Sequence, residues 1–234
     1  MEEYRRKIRL LAEHSDYNRK LRLKSLMSFF QEISIAHTEQ LGNGRAKTLD
    51  KGFLWIIIAE KFKIFRLPEY DETIEIVSYP GTTMHFFMPR YFDIYDEKGN
   101  LIIKASSMWA LIDQNERSFV DPEENNIIFN GGEKGDELPL PFKIPVPNLT
   151  KSSKGKVNFS DVDLNGHLNN TSYINKALDL IDNKYLISHN LQEAYINFRK
   201  EIKIDEEYTV NFDKIDNDFY FSNDHFVIKL TFYN

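Results

Sequence analysis

The chain has 234 residues, 41% of them hydrophobic and 14% aromatic, which is ample for a packed core and too apolar for a disordered chain. It contains no cysteine, so disulfides, thiolate zinc sites and a cysteine nucleophile are excluded. A formal net charge of −6 argues against general nucleic-acid binding, which relies on excess Lys and Arg facing phosphates.

The chain opens on MEEYRRKIRLLAEHS, which mixes both charge signs and has no long apolar core, so no signal peptide is expected. Arg5, Arg6, Lys7 and Arg9 form a basic cluster, followed by Arg19, Lys20, Arg22 and Lys24, and later by Lys151, Lys154 and Lys156. Each reads as solvated surface, or more sharply as a docking patch for a small acidic partner. In LRLKSLMSFFQEISIAHTEQLG (21–42), Leu23, Leu26, Met27, Phe30, Ile33, His37 and Leu41 recur at three-to-four spacing. That spacing predicts a long helix with one apolar face, ended by Gly42. Strands are expected over 53–67, 71–81 and 88–113, with EKGN (97–100) as a hairpin turn. The longest apolar run, FLWIIIA (53–59), is too short to span a bilayer, so a soluble cytoplasmic protein is expected.

LPLPFKIPVP (138–147) holds four of the eight prolines and follows NGGEKGDE, a linker composition. Three parts are therefore expected: an N-terminal unit over 1–125, a linker over 126–153 and a C-terminal unit over 154–234. The second unit reads as a helix over 168–182, with Tyr173, Ile174, Ala177, Leu178 and Ile181 on one face. Strand-like segments follow, EAYINFRKEIKI (193–204), EEYTVNFDKI and FVIKLTFY. The two units match in short stretches: DYNRKL (16–21) with DLNGHL (163–168), FKI (62–64) with IKI (202–204), and LIIK (101–104) with FVIK (226–229). Three matches in one order predict a duplicated unit, a long helix followed by antiparallel strands, of α+β class.

Over nearly its whole length the sequence resembles the fatty acyl–acyl carrier protein thioesterases of plant plastids and of bacteria. The stretches that carry the likeness are LMSFFQEISIAHTEQLG, LWIIIAEKFKIFRLPEYDET, PRYFDIYDEKGNLIIKASSMWALID, DVDLNGHLNNTSYINKALD and NFRKEIK. The resemblance implies a double hotdog fold, in which each copy packs a long helix on an antiparallel sheet. It also implies a thioester hydrolase with no cofactor and no metal. Its partner would be acyl carrier protein bearing a fatty acyl chain on its phosphopantetheine arm, and the enzyme a monomer or homodimer without membrane insertion. One departure matters: Ile202 stands where the plant enzymes carry a cysteine after the glutamate, which removes a cysteine mechanism. Without the plastid transit sequence, a bacterial-type cytoplasmic enzyme is expected.

Carried over to matching positions, the resemblance implies catalytic roles for Asp163, Asn165, His167 and Glu201. Thioester hydrolysis needs an activated water and a positive potential at the carbonyl oxygen. The helix starting near Leu168 and the Asn165 amide answer the second need. His167 and Glu201, the latter on a strand, share water activation and protonation of the leaving thiolate, and Asp163 orients a neighbour. Without the family match, capping of the helix is the better reading of Asp163 and Asn165. In the first copy Lys20 stands at the histidine position and Lys61 is aligned with the glutamate, so one active site per chain is expected, with the first copy supplying acyl pocket and partner surface. Trp55, Trp109 and Phe30 are read as core. Three other functions share this sequence pattern: an acyl-coenzyme A thioesterase, a non-catalytic acyl-binding module and, with least support, a dehydratase.

Overall fold

The computed structural model describes residues 2–233, and among them ten strands join in a single antiparallel sheet. The first half supplies β1 (Tyr4–Arg9), α1 (Leu23–Gln40), β2 (Phe53–Ile64), β3 (Thr73–Pro80), β4 (Phe87–Tyr95) and β5 (Leu101–Asp113). The second supplies β6 (Lys151–Lys156), α2 (Asn170–Leu178), α3 (Asn183–Ser188), β7 (Asn190–Phe198), β8 (Glu207–Ile215), β9 (Asp218–Ser222) and β10 (Phe226–Tyr233). The order across the sheet is β1-β3-β4-β5-β2-β7-β10-β9-β8-β6, which reads as one five-strand arrangement met by its own repeat at the β2–β7 seam. There Ala59 faces Asn197 and Lys63 faces Glu193.

The apolar stripe of α1 settles on the concave face of the sheet, as its spacing predicts. Leu23, Leu26, Met27, Phe30 and Ile33 are buried, and Phe30 stacks on Phe92 with ring centroids 4.0 Å apart and lies parallel to Phe62 at 5.7 Å. The helix stops at Leu41, where Gly42 at φ +70° turns the chain in a conformation that glycine adopts without strain. The second helix is shorter than the expected 168–182. Asp179 closes α2, and the Asp182 carboxylate accepts from the N–H groups of Lys184 and Tyr185 to start α3. A side chain that bonds its own backbone competes with helix continuation, and Asp182 does so here.

The edge strands β1 and β6 lie in the segments where the sequence shows only basic clusters. β1 pairs with β3 and β6 with β8, and their lysines and arginines occupy the two free margins of the sheet, where charge opposes edge-to-edge aggregation. The clusters are ion-paired locally: Arg9 with Asp71 at 2.6 Å and Lys156 with Asp205 at 2.8 Å, equivalent pairs in the two copies. β6 begins at Lys151, inside the segment expected as linker. The chain from 126 to 150 contains no helix or strand: it starts beside the end of α1, where Ile128 O accepts from Asn43 Nδ2, and then crosses the sheet face opposite α1. Pro139 O accepts from Ser106 Oγ on β5, and Phe142 O from the Tyr195 hydroxyl on β7. No helix among the described residues is long and apolar enough to cross a membrane.

Candidate active site

The duplication is legible bond by bond. Asp16 N–H donates to Lys20 O at 2.8 Å, and Asp163 N–H to His167 O at the same distance. Asp16 Oδ1 accepts from Lys20 N–H at 2.9 Å, as Asp163 Oδ1 does from His167 N–H at 3.1 Å. Arg19 and Gly166 both sit at positive φ, +62° and +77°. Each turn is then tied to the chain that follows the copy's first long strand: Leu21 N–H to Pro68 O, and Leu168 N–H to Ile202 O. These bonds align Glu201 with Leu67. The expected match of Glu201 with Lys61 is therefore corrected. Lys61 lies on the sheet face opposite α1, its ammonium 5.6 Å from the Tyr195 ring centre.

Among the four site residues expected from the sequence, His167 and Glu201 come together. His167 Nε2 stands 3.5 Å from Glu201 Oε2, with the imidazole side chain 17% exposed and the carboxylate 45% exposed. Glu201 is not on a strand: β7 ends at Phe198 because Arg199 and Lys200 turn to donate their N–H groups to His225 O. The carboxylate thus projects from a loop. Its Oε1 is paired with Arg117, a residue at φ +57° in the turn after β5 of the first copy. Arg117 carries no motif, and only the three-dimensional pairing reveals it.

Asp163 and Asn165 are placed differently from the expectation. Asp163 Oδ1 accepts from the backbone N–H of both Asn165 and His167, so this carboxylate shapes the turn that presents His167 and orients no side chain directly. Asn165 is exposed at the tip of that turn. The first turn of α2 is partly satisfied from within, because Asn169 Oδ1 accepts from Thr171 N–H at 2.9 Å and from the Thr171 hydroxyl at 2.8 Å. The frame is an Asx turn followed by a capped helix, with the imidazole held between them.

A cavity of about 280 Å³ lies in the first half, bounded by Ile35 and Thr38 of α1, by Trp55, Met88 and Trp109 of the sheet, and by Phe129. Trp55 and Trp109, read from sequence as core, are its walls. β7 runs antiparallel to β2, so the chain leaving Phe198 toward Glu201 heads to the Trp55 end of β2. The far wall is polar. Buried Arg90 donates to His37 Nδ1 and Ser78 Oγ, each at 2.9 Å, and to Thr38 Oγ1 at 3.1 Å. Burial, with the Arg90 charge second, holds His37 down at about 4, so the imidazole that accepts this bond is neutral. Arg90, Ser107 and Glu60 follow one another across β4, β5 and β2 on the same face. Neither Glu60 oxygen has a hydrogen-bond partner, and burial pushes its carboxyl up to about 8.

Glu60 makes stability depend on pH. It keeps its proton in the folded chain up to about 8, whereas the unfolded chain releases it near the ordinary value of 4.5. The folded state therefore binds more protons across that window, and stability falls as pH rises through it by at most about 1.4 kcal/mol per pH unit. Glu60→Leu is expected to gain on the parent chain progressively from pH 5 to pH 8 in urea melts. A pH-independent difference would contradict the assignment.

Two solved structures share the architecture. An acyl-ACP thioesterase from Bacteroides thetaiotaomicron aligns with a TM-score of 0.83 at 21% identity, covering 99% of this chain and 98% of that one. The 12:0-ACP thioesterase from Umbellularia californica aligns with a TM-score of 0.83 at 17% identity, covering 99% and 97%. The fold is a double hotdog. The acyl-ACP thioesterase N-terminal domain model matches residues 1–127 and the corresponding C-terminal domain model residues 147–229. The chain belongs to the acyl-ACP thioesterase family. Similar sequences include a chloroplastic acyl-[acyl-carrier-protein] hydrolase of Cuphea viscosissima, 25% identical over 78% of this chain and 48% of its own length. The dodecanoyl-[acyl-carrier-protein] hydrolase of Cinnamomum camphora is 22% identical over 86% of this chain and 57% of its own. The chain thus spans about half the length of these curated relatives.

Proposed function

We propose that the protein hydrolyses the thioester of fatty acyl–acyl carrier protein and releases free fatty acid. The observation that carries the reading is the His167–Glu201 pair: an imidazole and a carboxylate from separate segments, 3.5 Å apart, in the one copy that has both. In this reading water attacks the thioester carbonyl carbon and gives its proton to the His167–Glu201 pair. The tetrahedral intermediate collapses with cleavage of the C–S bond, and the pair returns the proton to the departing phosphopantetheine thiolate. Asn165, at the tip of the turn, donates its side-chain amide to the developing oxyanion. Asp163 acts at one remove, by holding the turn. The acyl chain lies in the first-half cavity between Trp55, Trp109 and α1. The two units, 1–125 and 154–234, divide the work as pocket with carrier surface and as chemistry, with 126–153 strapping them together.

Arg117 has a positioning role in this scheme. Its guanidinium holds one Glu201 oxygen, leaving the other toward His167. Arg117→Gln is expected to lower kcat about tenfold with little change in KM, the pattern of an interaction realised in the transition state. A rise in KM alone would assign Arg117 to substrate binding instead.

Steady-state hydrolysis of a medium-chain and a long-chain acyl group, each on acyl carrier protein and on coenzyme A, tests the function. Turnover on the carrier protein is the expected result. Turnover on coenzyme A alone would make the protein an acyl-CoA thioesterase, and hydrolysis of none of the four would leave an acyl-binding module.

A further inference from the structure

A second cavity, of about 550 Å³, lies at the other turn, where the first copy repeats the catalytic frame without its chemistry. This volume falls among small-molecule sites, which run from roughly 300 to 1,000 Å³. The Asp16–Lys20 turn forms one rim, in the same backbone bonds as the Asp163–His167 turn. Lys20 stands where the second copy has His167, and Leu67 where it has Glu201. Leu186, Leu191 and Phe232 of the second half contribute apolar wall. Leu191 and Phe232 are cross-strand partners, as are Ile57 and Trp109 in the first copy, where Trp109 walls the other cavity.

Lysine in place of histidine and leucine in place of glutamate leave this frame without the imidazole–carboxylate pair of the other copy. What remains is a chamber with one apolar wall, of Leu67, Leu178, Leu186, Leu191 and Phe232, whose polar lining includes the Lys20 cation. Arg22 adds a second cation, its guanidinium anchored by donation from Nε to Ser15 O at 2.6 Å. Two carboxylates also line the cavity. Asp16 Oδ1 accepts from the Lys20 N–H, whereas Asp179 closes α2 through its backbone N–H and leaves its carboxylate in the lining, at the α2 side of the chamber. Outside the lining, Glu69 lies 4.0 Å from Lys20 Nζ, with both groups partly in solvent, a weak competitor for an arriving anion.

We infer that this cavity binds a long-chain alkyl carboxylate, its head on Lys20 and Arg22 and its tail against Leu67, Leu186, Leu191 and Phe232. The head-group assignment stands on the cations and the loss of proton-transfer groups. The fatty character of the tail also rests on the proposed thioesterase reading, because free fatty acid is what that reaction releases.

Isothermal titration of the full chain with dodecanoate tests the inference, on the parent chain, Lys20→Glu and the cavity-filling Leu186→Trp. Carrier-linked hydrolysis is assayed on the same preparations, and circular dichroism verifies that each variant is folded. The parent chain is expected to bind two dodecanoates, one in each cavity. Each variant should lose one of them at least tenfold in affinity while kcat at saturating acyl carrier protein stays within about twofold. Binding that both variants leave unchanged, or no binding at all, overturns the inference and leaves the thioesterase reading standing if hydrolysis is present. Lys20-dependent binding in a chain that hydrolyses nothing sinks the thioesterase reading and keeps the site.

Discussion

His167→Ala is expected to lose about two to four orders of magnitude in kcat on fatty acyl–acyl carrier protein, the range that a positioned acid–base group supplies. Lys20→Ala, at the equivalent place in the other copy, is expected to change kcat by less than about twofold. The contrast follows from the bond-by-bond equivalence of the two turns: both present a side chain from the residue after a positive-φ position, but only His167 meets a carboxylate from the position that Glu201 holds; the carboxylate near Lys20, 4.0 Å away, is that of Glu69. Lys20 overlooks Leu67 instead, through the same pairing of turn and loop. Steady-state assays on the two variants check this, with thermal melts to verify folding. Comparable losses in both would mean that the two copies contribute equally to chemistry.

Phe30→Ala is expected to destabilise the fold by about 3–5 kcal/mol, the usual cost of truncating a buried phenylalanine. Phe30 is 1% exposed, and its ring lies against Phe92 and Phe62 at the centre of the first copy. Aromatic contacts add to burial alone, and removing this ring leaves a void between α1 and two strands that cannot close without moving the helix. Domains of ordinary stability have about 5–15 kcal/mol in total, so the loss is a large share. Urea unfolding measures it. A loss under about 1 kcal/mol would mean that α1 is not the element on which the first copy packs.

The parts of the fold visible in the sequence are those whose apolar residues repeat. The α1 stripe from Leu23 to Ile33 announces itself because burial on one face forces periodicity, and the strands β3 to β5, buried on both faces over most of their length, do so as runs rich in apolar residues. The edge strands do not. Tyr4–Arg9 and Lys151–Lys156 are held by backbone ladders at the sheet margins and carry charge there, so their composition resembles surface loop. The second helix fails as a single element because the Asp182 carboxylate caps the backbone locally, a competition that apolar spacing does not register.

Of the candidate site, the turn was readable and the loop was not. DLNGHL matches DYNRKL residue by residue, since the Asx turn needs the aspartate and tolerates variation behind it. The three-residue match of FKI with IKI put Glu201 opposite Lys61, in the wrong register. Short apolar–basic triplets recur by alternation on any strand, whereas the backbone bonds that set the true register leave no trace in side-chain identity. Arg117 was invisible for a related reason: it lies 84 residues from Glu201 and meets it only because β2 pairs with β5 on one side and with β7 on the other.

The central claim is that His167 and Glu201 act as one proton-transfer unit. A double-mutant cycle of His167→Ala and Glu201→Gln, read by single-turnover hydrolysis on acyl carrier protein, tests it most directly. Groups that act as a unit are strongly non-additive, so the double variant is expected to be no slower than the slower single variant. Losses that multiply, or a Glu201→Gln variant as active as the parent chain, would contradict the pair.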